Sequence, residues 1–128
     1  MEPPKDNLTV TKIEAAARQT EAAIEAFARG DFDIAITLAG AAEGMIERDG
    51  PHMFFFLRDS PRVKHVPKKD WITVLNVERD WLKHHSGPDT LVIEKEVTSF
   101  MIARAASKLE KWTPRMEEFR KWIVKEYS

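Results

Sequence analysis

The chain has 128 residues, of which 32% are charged and 43% hydrophobic, with a formal net charge of −1 and no cysteine. That length suits a single domain with a real core, and the lack of cysteine excludes a disulfide framework or a thiolate zinc site and suits a reducing, cytoplasmic setting. The near-neutral balance excludes the global basic footprint of an obligate nucleic-acid binder, so any RNA contact must come from a local cluster.

The first ten residues lack the apolar run of a signal peptide and are expected to be flexible. Thr11-Lys12-Ile13-Glu14 reads as a capping box that opens a helix with Ile13, Ala16, Ala17, Thr20, Ala23, Ile24 and Phe27 at helical spacing. Gly30 stops it, and Asp31 can cap a second helix whose expected buried stripe is Ile34, Leu38, Ala41, Ala42 and Met45. The middle of that helix is dense in small residues, which let a neighbour approach closely. Gly50-Pro51 ends it, and the pair should form an antiparallel hairpin. Residues 51–67 read as an irregular basic segment, whose apolar run from His52 to Leu57 forms a short helix or irregular stretch that plugs one end of the bundle. The loop after that run holds Arg58, Arg62, Lys64, His65, Lys68 and Lys69, opposed by Asp59 and Asp70. A third helix is expected from Lys68 to His85, with Gly87-Pro88 as terminator. A fourth should span Glu94 to Trp112 on a stripe of Val97, Met101, Ala105 and Leu109. Thr113-Pro114 then starts a last helix that buries Met116, Phe119 and Ile123. The expected fold is an all-α antiparallel bundle of four to five helices in one domain, and no segment approaches membrane-spanning length.

The third helix is the informative one. Its apolar face centres on Trp71, Val74, Leu75 and Leu82, with Glu78 near the middle and His85 beside it. A buried ionised carboxylate is costly unless paired. Either an Arg or His satisfies Glu78 within the chain, or this face meets another chain. The second option makes Glu78 and His85 candidates for a homodimer interface. Arg79 borders the apolar face, while Asp80 and His84 share the polar side as an i,i+4 pair. Arg can clamp a phosphate bidentately, and His can move a proton near neutral pH. On a straight helix Arg79 and His84 splay by roughly 140°. They meet one phosphate only if the helix loosens or two chains share a cleft.

The run Arg79-Asp80-Trp81-Leu82-Lys83-His84 resembles the signature of HEPN domains, and of a small uncharacterised bacterial family with a similar Arg-x-Phe-Leu-Lys-His segment. The resemblance extends to the initial helical hairpin and the closing helices, and implies a compact helical fold. Many such domains are metal-independent endoribonucleases of toxin or RNA-processing type, typically homodimers with composite sites. Carried over, His84 would be the general acid/base, Arg79 the phosphate clamp and Asp80 the polar group after the Arg. No cofactor or metal is implied, and a cognate antitoxin or other partner protein is. A second match, Arg58 to His65, is interrupted by Pro61 and followed by Pro67, which argue against a helix there. The cluster of Arg58, Arg62, Lys64, Lys68 and Lys69 is better read as a strand-guiding RNA surface.

Two functions follow. In the first, the RNA 2′-OH attacks the adjacent phosphorus, with His84 moving protons and Arg79 stabilising phosphate charge. In the second, the chain is a non-catalytic dimeric helical module that binds a partner protein or nucleotide. A metal site from Glu78, Asp80, His84 and His85 ranks below both, because their angles round the helix are scattered.

Overall fold

The computed structural model describes residues 1–47, 57, 59–62 and 71–128, without the side chains of Trp71, Ile72 and Val74. Five α-helices pack together among the described residues, which include no strand, so the fold is an all-α bundle. No helix among them is long and apolar enough to cross a membrane.

Helix α1 (Lys12–Ala28) begins with the capping box. Thr11 Oγ1 accepts from the Glu14 amide at 3.0 Å, and the Glu14 carboxylate takes the Thr11 amide at 3.2 Å. Both bonds satisfy amides that a helix start leaves without partners. Gly30, at φ 85°, ends the helix in a conformation that a Cβ would strain. Helix α2 (Phe32–Met45) then folds back along α1. Asp31 holds the N-cap position, but its carboxylate takes Arg29 Nε at 3.1 Å instead of a helix amide.

The buried face of α2 is rotated from the expected one. Ala35, Ile36, Ala39, Gly40, Ala42 and Glu43 face inward. Ile34 is 46% exposed, and Ala41 is exposed as well. Close packing is the reason: the face that α2 turns to its neighbours is largely alanine and glycine, and bulk there would push the axes apart. Ile13 of α1 likewise stays outside, at 65% exposure.

Helix α3 spans Trp71–Lys83 and is anchored by the fully buried Leu75. Its expected start at Lys68 lies outside the described residues. Its end comes two residues early. The His84 amide still donates to the Asp80 carbonyl at 3.1 Å, after which the chain leaves the helix. His84 and His85 therefore stand beyond α3, and both are exposed.

Helix α4 (Lys95–Ser107) is the most enclosed, with Val97, Phe100, Met101, Ile102 and Ala105 in the core. It stops short of Trp112 because the Lys108 and Leu109 amides make tight-turn bonds to Ala105 and Ala106, at 3.1 and 3.0 Å. The Trp112 indole N–H also donates to the carbonyls of Ala106 and Leu109, at 2.9 and 3.1 Å. Helix α5 (Pro114–Tyr127) starts on the expected Thr113 cap and buries Met116, Phe119, Ile123 and Tyr127. In the segment before α3, Leu57 is fully buried and Ser60 donates its hydroxyl to the Tyr127 carbonyl. That hydrogen bond places Ser60 against the end of α5.

Candidate functional site

Helix α3 sends its motif residues in two directions. Arg79 turns inward to α2. Its aliphatic stem lies across Gly40, so closely that a Cβ there would stand 2.5 Å from Arg79 Cδ and 2.9 Å from Cγ. Beyond Gly40, Arg79 Nη1 reaches Glu43 Oε2 at 3.5 Å, while Nε lies 3.7 Å from Asp80 Oδ1. Only 22% of the Arg79 side chain is exposed.

Glu43 is the residue that sequence reasoning missed. Its side chain is 7% exposed, and three cations surround it. Arg104 Nη2 and Lys108 Nζ both approach Oε1, at 3.0 and 2.9 Å. Lys108 also donates to the Glu43 backbone carbonyl at 3.1 Å, which satisfies one of the last carbonyls of α2. Burial pushes the Glu43 carboxyl upward, but the Lys108 hydrogen bond and the charges of Arg104, Lys108 and Arg79 outweigh it. The net result lies below the ordinary value, so the carboxylate stays ionised. Three helices thus meet on one buried charge. The signal was available: once Ala35 and Ala39 define the buried stripe, Glu43 falls inside it and demands cations.

His84 and Asp80 lie on the other side. They share a cleft of about 330 Å³ with Val77, Trp81, Ser86, Gly87, Pro88 and Leu91. Trp81 organises this cleft. Its indole N–H donates to the Pro88 carbonyl at 2.7 Å, and Gly87, at φ 103°, packs where a Cβ would stand 3.2 Å from Trp81 Cδ1. The Gly-Pro terminator is thereby wrapped round the indole. His84 is exposed, with no side-chain hydrogen bond or ion pair to any described residue. Asp80 leans toward Arg79 and does not pair with the imidazole.

Glu78 is half-buried, and its Oε2 has no hydrogen-bond partner among the described residues. Burial raises its carboxyl above the ordinary value, its own backbone hydrogen bond opposes this, and the Glu94 charge adds to it. No described Arg or His pairs with it. Val77 beside it is 50% exposed, and His85 is exposed past the helix end. Of the expected RNA surface, Arg62 is exposed. Arg58, Lys64, Lys68 and Lys69 lie outside the described residues. No three His, Asp or Glu side chains among the described residues converge as a metal site would need.

The arrangement therefore separates the motif. Arg79 belongs to a buried ionic node, and His84 belongs to an outer cleft with an apolar wall. Comparison with family models, characterised proteins and solved structures gave no match.

Proposed function

We propose that this chain is an HEPN-like helical module of the cytoplasm that works by binding, with the Trp81 cleft at the end of α3 as its contact site. The observation that carries this reading is the commitment of Arg79 to Glu43. A phosphate clamp must present its guanidinium fork to the ligand. Here one edge of that fork faces a buried carboxylate and another faces Asp80. The cleft has the ordinary make-up of a binding site: apolar walls from Val77, Trp81 and Leu91, with Asp80, His84 and Ser86 as polar groups at its edge. Glu78 Oε2, buried without a hydrogen-bond partner among the described residues, supports a homodimer through the Glu78 side of α3, which leaves the cleft to a partner protein or a nucleotide.

A second reading keeps the endoribonuclease. The exposed His84 favours it, since an imidazole with no hydrogen bond or ion pair to any described residue is available for proton transfer. In that reading the two copies of a dimer complete one site, and the basic residues Arg58, Arg62, Lys64, Lys68 and Lys69 guide the strand. The separating experiment incubates labelled, mixed-sequence single-stranded RNA with the protein in EDTA and measures both retention and strand length. Binding that leaves the RNA intact and weakens in Trp81→Ala supports the module. Cleavage that yields 2′,3′-cyclic phosphate ends and is lost in His84→Ala overturns it in favour of the enzyme.

A further inference from the structure

One stretch of this helical bundle behaves as a strand. From residue 90 to residue 94 the chain runs without helix, turn or bend, and Glu94 ends the run in extended backbone, at φ −83° and ψ 148°. Burial alternates along it: Leu91 and Ile93 are half-buried, while Thr90, Val92 and Glu94 are exposed. That is the two-residue period of a strand lying on a core. Leu91 joins the wall of the Trp81 cleft, whereas Val92 is 82% exposed. Thr90, Val92 and Ile93 are β-branched, which suits a pleated conformation better than a helix.

No amide or carbonyl of residues 90–93 makes a hydrogen bond to a described residue. A straight segment with an unpaired edge and an exposed valine is a template for another strand. The charges at its ends say which strand. Asp89 precedes the run and Lys95 follows it, both exposed and neither in an ion pair with a described residue. Lys95 stands over the Trp122 ring, 5.6 Å from its centroid. Laid antiparallel against its own copy about Val92, the segment complements itself. Asp89 then lies opposite the partner's Lys95, Leu91 opposite the partner's Ile93, and Val92 opposite the partner's Val92. A one-residue slip would set Asp89 against the partner's Glu94, and a parallel pairing would set each acid against its own copy. Of these registers, the one centred on Val92 both matches charge and closes on a two-fold axis. The charge of Glu94 also acts on Glu78, so the run ends beside that side of α3.

We propose that residues 89–95 of two copies pair as an antiparallel two-stranded ribbon, with a two-fold axis at Val92, and that this ribbon forms the homodimer contact. It rests on the homodimer of the proposed function and names the element that makes it, one that contains no residue of the Arg79–His84 run. A two-stranded ribbon alone is marginal in water. This one starts supported, because Leu91 and Ile93 of each strand are already half-buried on their own bundle. The axis stands perpendicular to the ribbon, so the two bundles sit side by side on its inner face and the two Val92 side chains meet on its outer face.

The test reverses the end charges in the full chain. Asp89→Lys and Lys95→Asp, both at exposed positions, should each weaken the dimer about tenfold in sedimentation equilibrium, because each turns two opposed pairs into like ones. Asp89→Lys/Lys95→Asp restores the opposition and should return to within about threefold of wild type. Val92→Cys adds a cysteine to a chain that has none and should link two copies under mild oxidant, since directly opposed residues hold their Cβ atoms about 4.5–5.5 Å apart. Thr90→Cys, two residues from the axis, should stay unlinked. Circular dichroism checks that every variant keeps its helices. Single reversals that dimerise like wild type, a double variant no better than the singles, or equal linkage at positions 90 and 92 would overturn the ribbon. A wild type that is monomeric at tens of micromolar would remove the ribbon and the homodimer together. Glu78→Lys in the same assay keeps the two readings apart. Loss of the dimer there, with no effect of the charge reversals, retains the Glu78 side and rejects the ribbon; the opposite pattern retains the ribbon alone.

Discussion

Arg104 and Glu43 meet at 3.0 Å across the α2–α4 contact, with Lys108 sharing the same carboxylate oxygen at 2.9 Å. About four-fifths of each cation is shielded, since 19% of each side chain is exposed. Removing the carboxylate leaves those charges buried together. Glu43→Ala should therefore destabilise the bundle by roughly 3 kcal/mol, the low end for a broken buried pair because the cations keep some water. Chemical denaturation of the variant measures it. The pH dependence has a definite sign. The Glu43 carboxyl is held below its ordinary value in the folded state. Its stabilisation is thus complete above the unfolded pKa of about 4.3 and is lost as pH falls through the lower folded value. Glu43→Gln should flatten the acid limb of the stability profile.

The Trp81 knot predicts a local effect. Trp81→Phe removes the indole donor and leaves the Pro88 carbonyl without it, at a cost of about 1 kcal/mol. Gly87→Ala imposes a side chain on φ 103° against the indole, at about 1–2 kcal/mol. Both should speed amide hydrogen exchange at Ser86 and Asp89 while leaving α4 protected. Equal acceleration throughout the chain would mean that the knot supports the whole fold and not its loop alone.

The helix order, the Thr11 and Thr113 caps and the Val97–Met101–Ala105 stripe were legible because each rests on local chemistry at fixed spacing. The α2 face was not. Ranking by side-chain size puts Ile34 inside, whereas a tight helix contact favours Ala35 and Ala39. That one-residue rotation hid Glu43, and with Glu43 went the destination of Arg79. The end of α3 was misplaced for a related reason. Gly87-Pro88 marks a stop, but the indole that pulls the chain off the helix is Trp81, which reads as part of the helix itself. Spacing could state that Arg79 and His84 diverge. It could not say that one of them is already occupied.

Glu78 should respond to pH in the opposite sense. Burial raises its carboxyl, so the fold favours the protonated form. Stability from this group is present below about pH 4.3 and is lost as pH rises through the raised folded value. Glu78→Gln should raise the melting temperature at neutral pH and remove that downward slope. If the homodimer uses this side of α3, light scattering should find the Gln variant at least as dimeric as wild type, and Glu78→Lys monomeric. A wild type that is monomeric at tens of micromolar would remove the interface.

His84 is the residue whose change should be felt only in function. It is exposed, follows the last residue of α3 and makes no side-chain hydrogen bond or ion pair to any described residue. Its backbone amide bond to Asp80 survives any substitution other than proline. His84→Ala should therefore melt within a degree or two of wild type, a surface change of no more than about 0.5 kcal/mol. Under the binding reading it should weaken ligand affinity at the cleft several-fold, and Trp81→Ala should weaken it more, because the indole forms the wall while the imidazole supplies one polar group. Under the enzyme reading it should abolish cleavage outright, with retention of RNA unchanged. Measuring affinity and strand length on the same samples separates these patterns. If His84→Ala changes neither, the cleft is not the site, and the search moves to the surface around Arg62.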